Sequence, residues 1–218
     1  MPSQSLLERP LGELARQLPG AIAVFHAHAL DFCCGGKQSL GQALAARPAD
    51  SAAVLAALEQ LLRPAAAEPD WRAAPAGALI EHLLSRYHAR HREQLPELIR
   101  LAARVEAVHG DRAECPHGLA AHLRQMQAEL ESHMQKEEQI LFPLLAQGLP
   151  AAALPPVAVM RHEHEQHGLA LARMMELAHQ LEQPQGACNT WRALLAGLHS
   201  LHQDLLEHIR LENEILFA

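Results

Sequence analysis

Four stretches of this chain carry apolar residues in alternating steps of three and four, the spacing of helices packed side by side in a bundle. The first stripe is Leu84, His88, His91, Leu95, Leu98, Ala102, Val105, and the second Leu119, Leu123, Met126, Leu130, His133, Glu137, Ile140, Leu144. The third is Val157, Met160, His164, His167, Leu171, Met174, Ala178, Leu181, and the fourth Leu194, Leu198, Leu201, Leu205, His208, Glu212, Ile215. Each stripe is interrupted by two adjacent metal-capable residues. The pattern predicts helices near 76–108, 117–146, 156–182 and 189–217, separated by Gly110, by Gly148 to Pro156, and by Pro184 to Gly186. Connections that short make neighbours antiparallel and the architecture an up-down four-helix bundle. No strand-like alternation competes. With 49% apolar but only 3% aromatic residues, the core is built from Ala, Leu, Val and Ile, a helix-forming mixture, and the expected class is all-α.

The bundle also repeats itself. His133 to Phe142 (HMQKEEQILF) matches His208 to Phe217 (HIRLENEILF), and the pair His88, His91 matches His164, His167. Two copies of one hairpin, each giving a His from its first helix and H-x-x-x-E from its second, predict a symmetric two-metal site. Burying an unpaired carboxylate costs several kcal/mol, yet no Lys or Arg stands at the seam level of Glu137 and Glu212. Two dications resolve this, with His88, His133, His164 and His208 as imidazole ligands and Glu137 and Glu212 as bridges. Each metal then has four protein ligands, leaving room for an oxo or hydroxo bridge and a small molecule. No cysteine lies on a seam, so imidazole and carboxylate in a bundle favour paired iron or manganese over a thiolate site.

His91 and His167 remain either as fifth ligands or as hydrogen-bonding neighbours of the ligands, and the latter is the expectation adopted. Glu129 and Asp204, each four residues before a ligand histidine, either orient imidazoles, line a polar path or belong to a solvated face. The other histidines of the 16, among them His82, His109 and His122, are read as surface residues.

Residues 1–62 hold short helical stretches, Leu11 to Ala29, Ser39 to Ala46 and Ser51 to Leu62, and residues 63–75, with Pro64, Pro69 and Pro75, read as a linker to the bundle at 76–218. Within the first segment the adjacent Cys33 and Cys34, beside Gly35-Gly36 and Lys37, form a thiol pair able to bind iron, react with nitric oxide or cycle redox state. Cys115 and Cys188 fall in connections and are read as silent. A net charge of −7 argues against nucleic-acid binding. Without a long apolar run or a signal-peptide pattern, a soluble cytoplasmic protein, not bound to a membrane, is expected.

Pro10 to Leu14, Asp31 to Lys37, Asp70-Trp-Arg72, Arg86 to Pro96 and His133 to Pro143 together resemble the iron–sulfur cluster repair di-iron proteins (the RIC family, of the YtfE and ScdA type) over nearly the whole chain. The resemblance implies an ScdA-type N-terminal domain followed by a haemerythrin-like bundle holding two non-haem irons. Its ligands fall on His88, His133, Glu137, His164, His208 and Glu212, and its cysteine pair on Cys33 and Cys34. It further implies damaged iron–sulfur proteins as clients, nitric oxide or oxygen as small ligands, and a homodimer. Two departures stand out: His167 replaces a small residue, and the chain stops at Leu216-Phe-Ala218, predicting a frayed or shortened last turn. Three functions use this one site: supply of iron for cluster repair, reduction or scavenging of nitric oxide, and oxygen binding. The cysteine segment separates repair from oxygen carriage but not from nitric oxide chemistry, and an iron-donating repair factor is the expectation adopted.

Overall fold

The computed structural model describes residues 6–18, 20–32, 36–46, 48–62 and 69–218. Cys33 and Cys34 lie outside them. The described N-terminal residues include the short helices α1 (Leu11–Gln17), α2 (Ala21–Ala27), α3 (Leu40–Ala45) and α4 (Ser51–Leu61). Gly20, at φ 90°, makes the break between α1 and α2, a conformation that glycine adopts without a Cβ penalty. Ser39 and Gln42 cap α3 reciprocally, the side chain of each bonding the backbone N–H of the other. Four long helices follow: α5 (76–109), α6 (119–146), α7 (Pro155–Leu177) and α8 (189–216). Among the described residues no strand forms.

The long helices form the predicted up-down bundle. Helix α5 packs along α6 and α8, and α7 along α6 and more lightly along α8. Gly118 (φ 83°) starts α6, where Glu106 accepts a bond from the backbone N–H of Ala120 at 2.9 Å. Helix α7 ends five residues earlier than expected. His179, Gln180 and Leu181 follow in a left-handed turn at φ 48°, 56° and 62°, which takes Leu181 off the seam.

Two apolar cores result. The larger joins Leu11, Leu14 and Phe25 of the short helices to Leu98, Leu101, Leu119, Leu194 and Leu198 of the bundle in one contiguous cluster. Helix α1 lies against α8, whose first residue, Asn189, donates from Nδ2 to the carbonyl of Phe32 at 3.1 Å. Gly36 permits this approach, since a Cβ there would fall 2.3 Å from that nitrogen. The smaller core, at the other end, gathers Leu79, Leu83, Tyr87, Leu141, Phe142, Leu145, Met160, Leu211, Leu216 and Phe217. Trp71, within the stretch read as a linker, packs onto it and stacks on His82 at 4.4 Å. Between the two cores runs a layer of buried polar side chains.

Candidate metal centre

That layer contains His88, His91, His133, Glu137, His164, His167, His208 and Glu212, all at most 5% exposed. Three of the four long helices change geometry there. Leu83–His88, Glu137–Leu141 and Glu212–Leu216 are π-helical turns, and they carry His88, Glu137 and Glu212. Such a turn holds one residue more than an α turn, so the inward face slips by one position beyond it. The predicted seams fail at those places. Ile140 is 52% exposed, Leu84, Leu144 and Ile215 are half-buried, and Leu83, Leu141, Leu145 and Leu216 take the inner positions.

The six predicted ligands converge. His88 and His208 bring their Nε2 atoms within 3.2 Å of each other, and His133 and His164 theirs within 3.1 Å. Each glutamate spans both pairs. Glu137 sets Oε2 at 3.5 Å from His88 Nε2 and Oε1 at 3.3 Å from His133 Nε2. Glu212 sets Oε1 at 3.0 Å from His208 Nε2 and Oε2 at 3.0 Å from His164 Nε2. Two overlapping donor sets follow, His88, His208, Glu137, Glu212 and His133, His164, Glu137, Glu212, each with its donor atoms within 4.8 Å of one another. Separations of about 3 Å between donors are what metal bonds of roughly 2.0–2.2 Å produce.

The electrostatics ask for cations. Burial and the neighbouring Glu212 push the Glu137 carboxyl up to about 7. Burial would lower His133, but Glu137, Glu212 and Glu163 outweigh it and hold the imidazole at about 9. Burial and His208 lower His88 to about 4. Both oxygens of Glu137 and Oε2 of Glu212 are buried without a well-formed hydrogen bond, although histidine nitrogens lie close. Metal ions would replace this shared-proton arrangement and satisfy those atoms.

Residues 79–218 match the hemerythrin HHE cation binding domain, and residues 7–62 match ScdA_N, a domain of unknown function. The chain belongs to the hemerythrin HHE family. It is 48% identical over 210 residues to a Pectobacterium carotovorum protein named iron-sulfur cluster repair protein YtfE, covering 96% of this chain and 95% of the relative. Proteins of the same name from Musicola paradisiaca (49% identical, 96% and 95% covered) and Citrobacter koseri (46% identical, 98% and 96% covered) match equally broadly. The chain is therefore also a member of that cluster-repair family, as its motifs predict.

Around the HHE centre, three imidazoles are anchored from behind. His88 Nδ1 donates to Glu138 at 2.8 Å, His133 Nδ1 to Glu163 at 2.9 Å, and His164 Nδ1 to Asn213 at 3.0 Å. Arg92 holds Glu138 at 2.8 Å, and Lys136 holds Glu163. Each bond fixes the proton on Nδ1 and turns Nε2 inward. Sequence reasoning missed all three acceptors. They sit one residue from a predicted ligand and so on a helix flank, although the repeat itself aligns Glu138 with Asn213. Of the three readings open for Glu129 and Asp204, the orienting of imidazoles is not what they do. Glu129 is exposed and accepts from Gln125 at 2.8 Å, while Asp204 binds Arg86 at 2.7 Å and Arg90 at 2.8 Å.

His91 and His167 do lie in the layer. His91 stacks on His208 (5.4 Å between rings) and His167 meets His133 edge-on (4.9 Å). Among the described residues, neither nitrogen of His91 has a hydrogen-bond partner, nor does His167 Nε2, and neither residue joins a donor set. His167 lines a cavity of about 630 Å³ between α6 and α7, with Glu129, Lys136 and Glu163. Several histidines read as surface residues have packing roles: His82 lies between Trp71 and Tyr87, His109 contacts Cys188 at 3.3 Å, and His122 donates to the Ala170 carbonyl at 2.8 Å. The last turn does not fray. Phe217 is 3% exposed and stacks on His164 at 6.0 Å, as Phe142 packs on His88 at 5.6 Å.

Proposed function

We propose that this chain carries two irons, one between His88 and His208 and one between His133 and His164, with Glu137 and Glu212 bridging, and that it supplies iron to damaged iron–sulfur clusters. The observation that carries the reading is the pair of donor sets sharing both glutamates, in a chain whose relatives are named for cluster repair. Four neutral imidazoles and two carboxylates neutralise half the charge of two ferrous ions, so the site holds cargo without closing every coordination position. The protein's part is to hold the Nδ1 proton of three of the four imidazoles, those of His88, His133 and His164, on Glu138, Glu163 and Asn213, so that Nε2 is aimed inward at the metal. Cys33 and Cys34 are assigned the capture or passage of iron on its way to a client, and the boundary at residues 63–75 is kept as the division between that segment and the iron store.

The test follows recovery of a nitric-oxide-damaged dehydratase supplied with iron-loaded protein, beside consumption of nitric oxide. Glu137→Ala and Glu212→Ala are expected to lose recovery together with bound iron, and Cys33→Ala/Cys34→Ala to slow recovery with iron still bound. Recovery indifferent to the glutamates would sink the donor reading, and nitric oxide turnover over many cycles would make the protein an enzyme instead.

A further inference from the structure

The internal twofold that relates the two hairpins carries His88 onto His164, His133 onto His208 and Glu137 onto Glu212. It therefore carries Glu138 onto Asn213, and Tyr87 onto Glu163. The first of these pairs keeps its role, since both members accept a bond from the Nδ1 of a hairpin's first histidine. The second does not. Glu163 accepts from His133 Nδ1, whereas Tyr87 lays its ring flat against His208, 5.4 Å away at an interplanar angle of 11°. His91 covers another part of the same imidazole at 29°, and its own nitrogens bond to nothing. His208 Nδ1 is thus buried without a hydrogen-bond partner, alone among the four convergent imidazoles.

The consequence is chemical. A neutral imidazole that binds a metal through Nε2 keeps its proton on Nδ1, and an acceptor for that proton fixes the ring and raises its basicity. Loss of such an acceptor typically lowers metal affinity by about 10–100-fold. The His133–His164 pair has two supported imidazoles; the His88–His208 pair has one. Resting on the two-iron reading above, we propose that the iron between His88 and His208 is the loosely held, transferable one, that the iron between His133 and His164 is the retained one, and that Tyr87 in place of an acid sets the difference. The protein then gives up one iron per cycle and keeps the other to hold the shared glutamates in place.

Anaerobic titration of ferrous iron against a chromogenic ferrous chelator measures this directly. The wild-type protein is expected to bind two irons with constants at least about tenfold apart. Glu163→Ala should weaken the tighter constant by about tenfold or more and leave the looser one in place, whereas Glu138→Ala should weaken the looser one. Tyr87→Glu should tighten the looser constant. Because Tyr87 is buried and its replacement can cost the fold, the two surface-facing glutamate variants carry the test without it. Two irons bound with equal constants, or Glu163→Ala acting on the looser iron, overturns the assignment and leaves the two-iron reading standing. Fewer than two irons in the wild-type protein defeats that reading itself.

Discussion

His133 shows how a single side chain ties folding to metal loading. Its folded value of about 9 lies above the ordinary 6.5, because its acidic neighbours outweigh burial. The proton it keeps stabilises the metal-free fold fully below pH 6.5, and that contribution is lost as pH rises through 9. His88 and His167, lowered by burial to about 4 and about 3, are neutral in folded and unfolded chains above pH 7 and add no slope there. The metal-free protein should therefore lose stability between pH 7 and 9, by up to about 1.4 kcal/mol per pH unit from His133, with Glu137, raised to about 7, adding to the loss at the lower end. Iron affinity should rise over the same interval, since the same proton competes with the metal. Thermal melts of metal-free protein at pH 7, 8 and 9 check it, and a melting temperature that climbs with pH would contradict it. At this scale the sequence was informative where a titratable residue broke an apolar stripe, because burial makes such a residue costly unless it is compensated. It was silent about Glu138, Glu163 and Asn213, whose flanking positions look the same whether they face water or a neighbouring imidazole.

Among the helices, the four long elements and all their ends but the C-terminal one of α7 were legible from period and punctuation, while the π-helical turns were not. A π turn leaves no mark on apolar spacing except a slip by one, and Ile140-Leu141 and Ile215-Leu216 offer an apolar residue in either phase. The two phases are told apart only by which residue is buried, here Leu141 and Leu216. The extra residue in each turn sets Glu137 and Glu212 at the level of the paired histidines while keeping Phe142 and Phe217 inward. Deleting the exposed Gln139 should return that turn to α spacing. Helical content by circular dichroism should hold, and bound iron should fall to one or fewer per chain. Retention of two irons in this deletion would mean that the turn is not needed for the site.

At the scale of the molecule, the N-terminal helices and the bundle share a core, although separate regions of the chain match different families. The tether of prolines pointed to an appended unit. What it concealed is that Leu98, Leu101 and Leu194 are buried in the same apolar cluster as Leu11, Leu14 and Phe25. Phe25→Ala, at a side chain 0% exposed, should cost about 3–5 kcal/mol and shift a single unfolding transition of the whole chain. Two transitions, with the bundle's own unmoved, would show that the segments fold independently.

The polar layer between the two cores has a mechanical meaning as well. It is a plane across which almost no apolar contact is made, crossed by eight ionisable side chains that cations would draw together. A ligand that binds the folded state alone stabilises it by mass action, so a bound metal would act as a rivet. Loss of metal would then loosen the joint between the two ends of the molecule, so that emptying the site and the tendency to come apart would rise together.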